Sequence, residues 1–263
     1  MSVLLAAPPH PVPSPDLDVG AAVTRFRRLA AVLPGTAVHY AVAADPRPAL
    51  LAALAGAGAR FAVTGRAEVV AALDAGATPA DLLHGHPLGR PRDVAVAARA
   101  GVRSFVVATR QDVRTVAAAA PGSSVLCRLA GDGSAGVAET AEVLRRAAEA
   151  GLDPAGVGVF ATGDPQAWAG PVEAAARVFT RLRGEGLRPW LLDLGGGFPA
   201  AREEGALPLP AYGAAIELLL RRHFGSHRPR TLVQPGRAVL ATLSAPATPR
   251  PAGAPAPWPR SRR

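Results

Sequence analysis

Three short segments combine residue types that can do chemistry: HYAVAADP at 39–46, LLDLGGGFP at 191–199 and QPGR at 234–237. In the second, Gly195, Gly196 and Gly197 follow an apolar run. Glycines there let backbone N–H groups come close to an anion, and a following helix start would add its partial positive charge. In the third, Gly236 and Arg237 offer another close approach and a guanidinium with several donors. Triple glycine alone is explained by an ordinary flexible turn; GGGFP and PGR together are more specific and suit a phosphate. Asp193, just before the glycines, reads as a structural acid rather than a catalyst. The chain also lacks something: Lys and Arg total 29, and every one is Arg. Chemistry that needs a lysine ε-amine is excluded.

Other reactive side chains carry less. Cys127 is the single cysteine, so there is no intrachain disulfide or thiolate cluster, which fits a reducing, cytoplasmic setting. It lies inside an apolar run, where a small buried side chain is the expected role. His84 and His86 are two apart but have no third ligand near them in sequence, so no metal site is expected. His10, His39, His223 and His227 carry no signal. The net charge of +9 comes from arginines spread along the chain, with a late cluster at Arg260, Arg262 and Arg263. Without an interleaved aromatic stripe, this argues for solvated faces over a nucleic-acid groove. No apolar run is long enough to span a membrane, and the opening MSVLLAAPPHPVPSPD has no basic leader and is broken by prolines.

The elements that must position these segments follow a steady rhythm. Candidate strands are Ala37–Val42, Arg60–Val63, Asp81–His84, Ser104–Val107, Ser124–Leu129, Gly156–Phe160, Pro189–Leu194 and Arg230–Gln234. Between them run Ala/Leu/Arg stretches of helical spacing. Asp45-Pro46 is read as opening one helix and Gly65 to Glu68 another, with Gly76, Gly101 and Gly151 at helix stops. Strands alternating with helices imply parallel crossovers, and eight such units predict a (β/α)8 barrel. Its loops after the strands carry function. A doubly wound sheet would place a Gly-rich turn after its first strand, where this chain has Ala43-Ala44-Asp45-Pro46. The expected division is a Pro-rich lead-in over 1–18, the barrel over 19–243, and a disordered Pro/Arg-rich tail over 244–263.

With these residues in place, the sequence resembles the pyridoxal-phosphate (PLP) decarboxylases of basic amino acids, the ornithine/diaminopimelate/arginine group with an alanine-racemase-like barrel. The likeness runs from about Val38 to Leu240. It includes YAV at 40–42, FAVTGRAEV at 61–69, HGHPLGRPRDV at 84–94, Arg128, DPQAW at 164–168, LLDLGGGFP and QPGR. The resemblance implies PLP as cofactor, a dimer, and a C-terminal β-domain that completes the partner's site with a catalytic cysteine and a substrate-binding aspartate.

Position by position, the resemblance also marks departures. Ala43 stands at the Schiff-base lysine and Gln234 at the acid that pairs with the pyridine nitrogen. Phe160 or Ala161 falls at the stacking histidine, Ala62 at an aspartate and His86 at an Asn-type position. Gln234 would offer only a neutral hydrogen bond, worth roughly 0.5 to 1.5 kcal/mol against roughly 1.5 to 3 for a charged one. Gly195, Gly196, Gly197, Gly236 and Arg237 match phosphate-binding positions, Arg128 a cofactor-contact arginine and Glu68 a supporting acid. No residue is assigned as catalytic and none as a metal ligand, and the family's β-domain is expected to be absent.

The expectation is therefore an inactive or severely impaired barrel, holding PLP non-covalently if at all. It would act as a binding or regulatory homologue, as a homodimer or as a heterodimer with a full-length family member, its ligand an amino acid or a phosphate. The alternatives are a working decarboxylase of unusual mechanism, or a truncated relic.

Overall fold

A computed structural model describes residues 17–85, 90–200 and 207–240. The eight strands are β1 Thr36–Ala41, β2 Arg60–Val63, β3 Leu82–His84, β4 Ser104–Val107, β5 Ser124–Arg128, β6 Asp153–Gly158, β7 Leu191–Asp193 and β8 Arg230–Val233. They close into a barrel in sequence order, and all neighbours pair in parallel, with β8 returning to β1. Helix α1 (Val19–Val32) precedes the first strand. The others follow their strands as α2 Pro48–Gly56, α3 Arg66–Asp74, α4 Pro91–Arg99, α5 Arg110–Ala119, α6 Ser134–Glu149, α7 Ala169–Gly184 and α8 Leu209–Phe224. The (β/α)8 expectation is met strand for strand.

Local chemistry accounts for the boundaries. Gly76, Gly101 and Gly151 take positive φ just past helix ends, where a side chain would be strained. The first crossover helix starts later than Asp45-Pro46 suggests. The Asp45 carboxylate is held 2.6 Å from Arg47, and Pro48 occupies the first helical turn, where its missing N–H costs nothing. Val42 leaves the strand for a short 3-10 turn, Val42–Ala44. Strand β6 begins three residues before Gly156, because a register shift at Val125/Leu126 lets Asp153 and Pro154 pair with β5.

Most of the apolar core lies between the strands and the helices. A second, smaller cluster fills the barrel itself: Leu83, Val106, Leu126 and Leu232, with Ala37 and Leu191 against it. The interior narrows to small residues toward the C-terminal ends of the strands, with Ala41 beside Ala62. A Cβ added to Gly85 would sit 3.5 Å from that of Ala62. This leaves room at the mouth for longer side chains from other strands.

Candidate functional site at the barrel mouth

The loop after β7 is wedged between its neighbours, and that contact requires its glycines. A Cβ on Gly196 would lie 2.1 Å from the carbonyl oxygen of Gln234, and one on Gly197 would lie 1.6 Å from that of Ala161. Gly195 has φ +76°, and its carbonyl accepts from the Gln234 N–H at 2.9 Å. The loop after β8 is tied in turn to β1, as Ala41 N–H donates to Pro235 at 3.0 Å. Gly236 leaves only 3.0 Å between an added Cβ and that of Ala44. The structure thus brings Gly195, Gly196, Gly197, Gly236 and Arg237 together, on loops after adjacent strands.

This surface suits an anion. The backbone N–H groups of Gly196, Gly236 and Arg237 donate to no described acceptor, and the exposed Arg237 guanidinium makes no ion pair among the described residues. Unspent N–H donors beside an unpaired cation are what a phosphate needs. A phosphate end therefore fits here, but a covalent link does not. Ala43, in the turn after β1, presents a methyl group.

Two supports of this shelf are not assigned by the sequence reading. Trp168 ends a short 3-10 turn, Pro165–Trp168, and its Nε1 donates to Leu194 O at 2.8 Å. Its ring packs against Phe198 and Tyr212, so an aromatic wall backs the glycines. Arg25 on α1 donates through Nη2 to Pro199 O at 2.7 Å and through Nε to Ala238 O, clamping the loops after β7 and β8. DPQAW held the first signal. Arg25 had none, since it lies among scattered arginines.

The other candidates divide. Gln234 Nε2 donates to Asp193 Oδ2, so one side of its amide is already engaged. Asp193 also accepts from Gly195 N–H at 2.8 Å. Burial pushes its carboxyl up to about 6, against the opposing pull of the Gly195 N–H, Gln234 and Arg128. Arg128 ends β5 and lies 5.5 Å from the Phe160 ring centroid. Phe160 is 61% exposed while Ala161 is buried, so Phe160 is the side chain with a face open to stacking. Glu68 is engaged locally, accepting from Thr64 N–H at 2.7 Å and Thr64 Oγ1 at 2.9 Å, at the start of α3 rather than on the shelf. Cys127 is buried in β5 and its thiol is pushed up by burial. Among the described residues, no group of three or more His, Cys, Asp or Glu gathers to hold a metal. His84 packs against Phe105, and His86 and the 244–263 tail lie outside the described residues.

Comparison with known proteins agrees with this geometry. The family model for the pyridoxal-dependent decarboxylase, pyridoxal binding domain, matches residues 19–241. A lysine/ornithine decarboxylase of Selenomonas ruminantium is 31% identical over 228 residues, covering 80% of this chain and 57% of that protein. Antizyme inhibitor 2 of Xenopus laevis is 25% identical over 241 residues, covering 86% and 52%. The crystal structure of a lysine decarboxylase from Selenomonas ruminantium superposes with TM-score 0.78 at 28% identity, covering 87% of this chain and 63% of that one. The chain spans about half the length of the curated relatives it matches. With its closed barrel and intact glycine shelf, this chain belongs to the pyridoxal-dependent decarboxylase family through that family's pyridoxal-binding barrel.

Proposed function

We propose that this barrel holds PLP non-covalently and serves as a binding or regulatory member of its family rather than as an ordinary decarboxylase. The observation that carries the reading is the contrast between the two ends of the mouth. The shelf keeps N–H groups with no acceptor, and Arg237 with no ion pair, among the described residues, while Ala43 stands where the family resemblance puts the Schiff-base lysine, in a sequence without lysine. Gly195, Gly196, Gly197, Gly236 and Arg237 would take the phosphate, Phe160 and Arg128 would border the ring, and Gln234 would meet its nitrogen. Glu68 would support the mouth through Thr64. PLP, when bound, supplies a ring that draws electron density from an attached amine. The residues here bind and orient it, but none can anchor it covalently or hand it from one amine to the next.

Equilibrium dialysis tests the reading. Saturable PLP binding that resists borohydride trapping, weakened about tenfold by Arg237→Ala through loss of roughly 1.5 kcal/mol of charged hydrogen bonding, is the expected result. Absence of saturable binding, or amine-dependent CO2 release at an ordinary enzyme rate, would overturn it. The relative named antizyme inhibitor 2 supports a protein as the regulatory target; the family resemblance, which implies a dimer, makes a full-length family member the candidate. Co-purification of the two chains is the check.

A further inference from the structure

Gln234 lies across the barrel mouth. Its Nε2 meets Asp193 at the end of β7, and its Oε1 reaches over to Gly85, where an added Cβ would lie only 2.8 Å from that oxygen. Gly85 directly follows β3, four strands from β7 in the closed ring of eight, so the side chain spans opposite walls. Ala41, Ala62 and Gly85, on or just after the intervening strands, leave it the space. The amide has only one favourable orientation there. An ionised carboxylate accepts and cannot donate, so the NH2 must face Asp193 and the carbonyl oxygen must face away. Asp193 is buried, and the charged group acting on it is Arg128 from β5. With its carboxyl at about 6, it is ionised at neutral pH. Among the described residues no group donates to Gln234 Oε1.

We propose that Asp193 is a positioning residue that acts through Gln234, fixing the amide so that its carbonyl oxygen faces the mouth and selects ligands that present an N–H there, such as a protonated heterocyclic nitrogen. The inference rests on the reading that this mouth holds a pyridoxal-type ligand. It adds to the expectation that Gln234 offers only a neutral hydrogen bond. A neutral amide free to turn would take a donor or an acceptor equally, but one hydrogen-bonded to a buried carboxylate is polarised and oriented as an acceptor. The negative charge is moved one residue deeper, and its effect reaches the mouth through the amide.

Pyridoxine 5'-phosphate is the probe, because it carries the phosphate and the ring but no aldehyde, and its ultraviolet spectrum reports the charge on its ring nitrogen. On the wild-type chain the bound ring should hold its proton to a pH about one unit above that of the free compound, a tenfold preference. Asp193→Asn leaves the amide free to reverse. It should return the ring to its free titration while dialysis affinity, carried by the phosphate, changes less than threefold. Adding Gln234→Glu to Asp193→Asn should restore the shift. A wild-type ring titrating at or below its free value overturns the inference even if Asp193→Asn fails to fold. So does an Asp193→Asn protein with the wild-type titration. If the wild type fails to bind the probe, the pyridoxal reading falls and takes the inference with it, whereas binding with an unshifted ring leaves that reading standing.

Discussion

At the scale of single residues, the mouth and the barrel interior handle buried polar groups in opposite ways. Asp193 is buried but accepts from a backbone N–H and a side-chain amide. His39, on β1, is buried, and among the described residues its Nδ1 has no hydrogen-bond partner. Burial, with Arg60 nearby, pushes its imidazole down to about 4. The folded chain therefore resists taking up a proton that the unfolded chain accepts near 6.5, so this site costs stability as pH falls from about 6.5 to 4 and no further below. His39→Leu should cancel that loss. Its stability relative to wild type, followed by urea unfolding, should rise by up to about 3 kcal/mol across that window; a pH-independent difference would refute the assignment. Asp193 has the opposite sign. Its raised carboxyl favours folding below the unfolded value near 3.8 and loses that contribution as pH rises through about 6.

Elements place these residues, and the clamp of α1 on the two shelf loops makes this measurable. Arg25→Met removes both bonds from α1 to Pro199 and Ala238. PLP affinity should fall about tenfold while stability falls by about 1 to 2 kcal/mol. Arg25→Lys should not rescue it, because one ammonium cannot replace two donors fixed in a planar fork. Equal affinity for Arg25→Met and wild type would show that the loops hold themselves. Much at this scale is legible in the sequence. Leu- and Val-rich runs alternate with Ala-rich helical stretches, so all eight strands can be located, and the glycine shelf is visible because GGG and PGR are local motifs. Strand ends are less legible: nothing in Asp153-Pro154 hints that an extra residue at Ala155, between Pro154 and Gly156, will let it pair with β5. The Asp193–Gln234 contact joins residues 41 apart, and the Arg25–Ala238 bond residues 213 apart. Such contacts are set by barrel closure, and no local pattern encodes them.

The whole molecule is a closed ring, and closure brings its first and last strands together. Thr36 on β1 and Thr231 on β8 share a hydroxyl hydrogen bond of 2.6 Å across 195 residues of chain, and the β1–β8 register runs through Val38 and Val233. On a ribosome, β1 emerges early and pairs with β2 on one side, but its other edge stays open until β8 is made. At about 5 to 20 residues per second that wait is roughly 10 to 40 seconds, with a row of unpaired N–H and C=O groups exposed. Stalled nascent chains ending before Arg230 should be cut readily by protease, while chains extended far enough to release β8 from the exit tunnel should resist. Equal resistance in both would mean that seven strands already hold. Because Gln234 and Arg237 lie on the loop that follows β8, a nascent chain cannot gain the complete proposed ligand site before that seam can be closed.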